Sequence, residues 1–157
     1  MLLESRNCLI APSTERSAAC RIACELAHSN SCYRFGWHLE RGQGVARNLA
    51  TAMKRYAQGC TGGSGLACRA AGHMYTRGVG VKADAARAKT FYRSALNHGR
   101  VHCEQGHAAS CLAIGEMFAT GEGGPVSRGP AALYLGKACS YELQAACAAL
   151  KRLKSSN

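Results

Sequence analysis

The sequence predicts an all-α fold, a solenoid of about eight short helices, and three observations carry that expectation. Cysteines recur in register along most of the 157 residues. Glycines and alanines recur in step with them. The hydrophobic fraction of 47% leans on Ala, Leu and Cys, with 6% aromatic residues and 3 Pro, which argues against disorder and against a β-sandwich. The length suits one ordinary domain or a stack of four short repeats.

The last eight of the 10 cysteines form four C-x7-C pairs: Cys24/Cys32, Cys60/Cys68, Cys103/Cys111 and Cys139/Cys147. Corresponding members of successive pairs are 36, 43 and 36 residues apart. Gly36, Gly72 and Gly115 keep the same offsets, as do Leu39, Tyr75 and Phe118. So do the turn glycines Gly42/Gly44, Gly78/Gly80 and Gly121/Gly123. Asn48, Asp84 and Ser127 follow each turn and are residues of helix N-capping type. Ala52, Ala88 and Ala131 come next, and then Tyr56, Tyr92 and Leu135 four residues later.

Each unit therefore reads as helix A, a glycine turn, helix B and a link carrying the cysteine pair. Residues 1–13 form an N-terminal segment that matches no helix A. A single solenoid domain over 14–154 follows. It opens with a lone helix B at 14–27, continues with repeats at about 31–66, 67–109 and 110–144, and closes with a lone helix A at 145–154; residues 155–157 lie beyond it. The A helices are expected at 31–41, 67–77 and 109–120, and the other B helices at 48–59, 84–99 and 128–140. Seven extra residues in the middle copy equal about two helical turns, so they can lengthen helix B or its link without rotating its buried face. Pro130, in the first turn of the last helix B, is compatible with that helix. A missing first helix A fits either a capping end or a truncated N-terminus.

Three chemistries fit the paired cysteines. Disulfide staples are favoured by the even number and the repeat-locked spacing. They would add roughly 2.5 kcal/mol per bridge, or about 10 kcal/mol for four, on a chain-entropy account. Zinc sites need close C-x2–4-C half-sites, which are absent. Free core thiols would follow from a reducing compartment. Cys20 takes the place of Tyr56 and Tyr92 in the first helix B and either bridges to Cys8 or packs in the core.

The string from Cys68 to Asp84, CRAAGHMYTRGVGVKAD, followed by Ala88 and Tyr92, resembles the Sel-like repeat, a relative of the tetratricopeptide repeat. Its cysteine-paired form is similar to the Helicobacter cysteine-rich proteins, and the resemblance covers residues 24–147. It implies a right-handed α/α superhelix with a concave face, residence in the periplasm or outside the cell, and a role in binding proteins or peptides. Some members of that family are described as penicillin-binding proteins or β-lactamases, which makes a weak hydrolase the alternative reading. No serine here has a lysine three residues on, and no G-x-S-x-G occurs, so no catalytic residue is expected. The first residues lack a basic n-region and a long apolar stretch, so no signal peptide is visible.

The net charge of +11 favours an acidic partner, and its bases are too dispersed to favour nucleic acid. No apolar run is long enough for a membrane span. His98, His102 and His107 flank Cys103, but with Cys103 in a bridge they do not make a metal site, and neither metal nor cofactor is expected. Glu40, Glu116 and Glu122 lie near turns, where carboxylates are usually solvated. Trp37 stands where the other copies have His73 and Glu116, which points to an exposed ring able to anchor a partner. With Arg34, Arg41, Arg69 and Arg77 on the same A helices, these residues make the candidate binding face for a protein or an acidic peptide.

Overall fold

The computed structural model describes Cys8, Leu9, Ala11, Pro12 and residues 15–156; the rest of the expected 1–13 segment, the start of the first helix at 14 and residue 157 lie outside the described residues. Among them are eight helices and no strand: α1 (Arg16–Glu25), α2 (Ser29–Arg41), α3 (Leu49–Thr61), α4 (Gly65–Arg77), α5 (Ala85–Glu104), α6 (Ala108–Thr120), α7 (Arg128–Ser140) and α8 (Gln144–Ser155). Among the described residues no helix is long and apolar enough to cross a membrane. Consecutive helices pack in chain order, and the A helices also touch along their row, α2 with α4, α4 with α6 and α6 with α8. The odd-numbered helices are the B row. The result is an α/α solenoid whose A helices form one continuous face.

The repeat in the sequence becomes a repeat of backbone bonds. The chain returns from each glycine turn by donating to the same place on the A helix: Asn48 N to Leu39 O at 2.9 Å, Asp84 N to Tyr75 O at 3.0 Å and Ser127 N to Phe118 O at 2.8 Å. The turn needs two left-handed residues, and each copy supplies two glycines, with φ between +65° and +84°. The B-to-A corner has its own left-handed residue in register: Ala27, Gly63, Gly106 and Glu142. That corner ends α1 at Glu25, two residues short of the expected 27, because a left-handed Ala27 cannot continue the helix.

The seven inserted residues go into α5, which has 20 residues against 13 in α3 and in α7 and runs on to Glu104. It still presents one buried line, Ala88, Tyr92, Ala95, Gly99 and Cys103, as a shift of two turns allows. Every described cysteine is bridged: Cys8–Cys20, Cys24–Cys32, Cys60–Cys68, Cys103–Cys111 and Cys139–Cys147, with Cα atoms 4.5–4.8 Å apart. Four bridges sit on B-to-A corners, and Cys20 reaches Cys8 from the buried side of α1. Bridges of this number belong to a chain that folds in an oxidising compartment.

One expected cap is absent. Asn48 accepts from Thr51 N and Asp84 from Arg87 N, both at 2.9 Å, but Ser127 accepts from no backbone N–H. In both working caps the donor is the third residue of the helix, and in α7 that residue is Pro130, which has no N–H to give.

Candidate binding face

Helix α4 places Arg69 and His73 one turn apart on the A row. Arg69 bridges to the next repeat: Nε donates to Glu122 Oε2 at 2.7 Å, Nη2 to Glu122 Oε1 at 3.1 Å and Nη1 to Glu116 Oε2 at 2.8 Å. His73 Nε2 lies 3.5 Å from Glu122 Oε2, and its ring meets Tyr92 edge-on. Burial alone would raise the Glu122 carboxyl, but the hydrogen bonds and charge of Arg69 override it and hold the group below the usual carboxylate range. Burial lowers the His73 imidazole, and the attraction of Glu122 offsets this only in part. Arg69 is thus neutralised from within the fold.

Glu122 and Glu40 are therefore not the solvated groups expected, whereas Glu116, with 41% of its side chain exposed, stays partly solvated. Only 14% of the Glu122 side chain is exposed, because the Gly121/Gly123 turn folds it back over Arg69. Glu40 accepts from the Tyr56 hydroxyl at 2.7 Å and lies 3.6 Å from Arg77. Burial first, and then the Glu40 carboxylate, push the Tyr56 phenol far up, so it stays a donor. The repeat register contained a signal for the Arg69 cluster. Arg69 stands where the neighbouring copies have Tyr33 and Leu112, and a lone cation at an apolar position calls for a carboxylate.

The first repeat is arranged differently. Helix α2 carries Tyr33, Arg34, Trp37 and Arg41. The Arg41 guanidinium lies 4.8 Å above the Trp37 ring centroid, and His38 meets the indole edge-on at 5.3 Å. Trp37 is therefore half-buried rather than fully exposed, since its own helix covers part of it. Among the described residues neither Arg34 nor Arg41 has a carboxylate within ion-pairing distance. The predicted Arg-lined face thus divides into a closed part around Arg69 and Arg77 and an open part around Trp37. His102 and His107 have ring centroids 5.6 Å apart, and no group of three or more potential ligands among the described residues is placed to hold a metal.

Fold and face together define a class, an α/α repeat protein that offers one row of helices as a surface. The chain belongs to the Sel1 repeat family, whose model matches residues 29–64, 65–99 and 108–140. Repeats of this family generally mediate protein interactions. The chain is similar to the crystal structure of a Sel1 repeat protein from Oxalobacter formigenes, with a TM-score of 0.63 and 19% identity over 95% of this chain and 57% of that one. It is also similar to a protective antigen of uropathogenic Escherichia coli strains displaying an SLR fold, with a TM-score of 0.48 and 22% identity over 87% of this chain and 36% of the other. The chain thus spans less than two thirds of either neighbour. No curated protein sequence matches it significantly.

Proposed function

We propose that this chain is a non-enzymatic module that binds a protein or peptide on its A-helix face, in the periplasm or outside the cell. The supporting observation is the open end of that face, where Arg34, Trp37 and Arg41 stand together without a carboxylate among the described residues. Aromatic and Arg side chains are the types most often found as binding anchors. An acidic partner complements them and the net charge of +11.

The test begins with capture of the partner from the native compartment under oxidising conditions. Binding should weaken as salt rises, since exposed charges are screened over about 8 Å at physiological ionic strength. Trp37→Ala should cost about 2 kcal/mol of affinity while the circular dichroism and melting of the chain stay close to wild type. A partner bound undiminished by Trp37→Ala, or a variant that unfolds, overturns the reading. Nitrocefin turnover by the oxidised protein, absent from a reduced control, would place it with the β-lactam-recognising alternative instead.

A further inference from the structure

Beside Trp37 lies a cavity of about 550 Å³, lined by Arg16 of α1, by Tyr33, Arg34, Trp37 and His38 of α2, and by Gln43 of the turn. Its volume falls within the range of small-ligand sites, about 300–1,000 Å³. We infer that this cavity seats a carboxylate whose neighbouring group is apolar, supplied by a peptide partner as a chain terminus or as an acidic side chain. The inference rests on the reading of the A-helix face as the binding surface and names the chemistry that the surface takes.

Charge is the first ground. The described lining brings two guanidiniums and no carboxylate to one cavity. Arg16 is held in place through Nε and Nη2, which donate to the Ala11 carbonyl at 3.2 and 3.1 Å, leaving Nη1 without a partner among the described residues. Arg34 has no described partner at all and stands exposed at the rim. A carboxylate matches the planar fork of a guanidinium with two parallel hydrogen bonds, as Glu122 matches Arg69 in this same chain. On the A row the fold supplies Arg69 with its anions internally, whereas no described residue supplies one to Arg34.

The walls are the second ground. Trp37 and Tyr33 give the cavity aromatic surface, and the indole is set between His38 and Arg41 before any ligand arrives. His38 Nδ1 lies 3.1 Å from the Gln43 carbonyl oxygen, which only accepts, so Nδ1 carries the hydrogen and Nε2 does not. Burial lowers this imidazole, which favours its neutral form, so among the described lining residues the positive charge comes from Arg16 and Arg34. An ion without an apolar group would leave the aromatic walls unused.

Trp37 is the single tryptophan of the chain, so its fluorescence reports on this cavity directly. N-acetylphenylalanine titrated into the oxidised protein should change that signal saturably, and its amide should bind about tenfold more weakly or worse, the loss expected for a charged hydrogen bond. Acetyl-Glu-Phe-amide against acetyl-Gln-Phe-amide asks the same of a side-chain carboxylate; preference for the acid in either pair supports the inference and tells which source is taken. Arg34→Gln, an exposed change, should weaken the preferred acid by about tenfold, while Arg93→Gln, an exposed change on the B row, leaves it unchanged. The assignment is overturned if acid and amide bind equally in both pairs, if no probe gives a saturable change, or if inorganic phosphate displaces the acid at equal concentration. Those results leave the broader reading to be judged by partner affinity in Trp37→Ala.

Discussion

Gly72 of α4 lies directly against the ring of Tyr92 on α5, so close that a Cβ added to the glycine would come within 2.5 Å of Tyr92 Cε1. The same contact recurs as Gly36 against Tyr56 and Gly115 against Leu135, each leaving 2.7 Å for an added Cβ. A missing side chain on helix A thus accommodates a large one on helix B in every repeat. Both members of each pair are buried.

Gly72→Ala should therefore destabilise the fold by about 1–3 kcal/mol, the usual cost of overpacking a close-packed interior. Gly136 of α7 has nothing within 4 Å of an added Cβ, and Gly136→Ala should stabilise by about 0.5–1 kcal/mol through helix propensity. Urea unfolding of the two variants should give opposite signs. Equal effects would show that the glycine–ring contact does not govern the packing.

The caps separate just as cleanly. Asn48→Ala should cost about 1 kcal/mol, because Thr51 N loses its acceptor. Ser127→Ala should cost almost nothing, because Pro130 has no N–H for the hydroxyl to accept from. Thermal melting decides between them, and a Ser127→Ala loss as large as that of Asn48→Ala refutes the account.

Acid should release the Arg69 cluster. A carboxyl held below its unfolded value stabilises the folded chain above that value and stops doing so as pH falls through the folded one. For Glu122 the ordinary value is 4.5, so its contribution should be complete at neutral pH and fade below 4.5. Glu122→Gln should then cost about 1–3 kcal/mol at neutral pH, since it leaves Arg69 with one charged partner. The gap between wild type and variant should close in acid; a gap constant with pH would show that Glu122 acts through shape alone.

The bridges should open in order of access. Cys139 and Cys147 are half-exposed, whereas the other eight cysteines are at most 7% exposed. Limited reduction followed by alkylation and mass mapping should label Cys139 and Cys147 first. Earlier labelling of any other pair would show that burial does not protect the staples.

What could be read from the sequence was what occurs three or four times. The C-x7-C pairs, the Gly36/Gly72/Gly115 set and the turn glycines each mark a contact that every repeat must make, so the register shows them without coordinates. Glu122, Glu40 and the half-buried state of Trp37 were not legible in that way. Each rests on a residue without a counterpart in the other copies: Arg69 binds Glu122, while Glu40 and Trp37 are themselves single occurrences met by the recurring Tyr56, Arg77 and Arg41. The silent Ser127 cap belongs with them, because a single proline in α7 cancels a rule that holds in the other two copies.

The shortness of the rings bears on how the chain comes to be made. Cysteine partners are 12 residues apart in the first bridge and 8 in each of the others. No bridge encloses or crosses another along the chain. A polypeptide entering an oxidant N-terminus first can seal each corner while the next pair of thiols is still out of reach. Correct pairing then becomes a matter of timing, and an isomerase has few errors to undo.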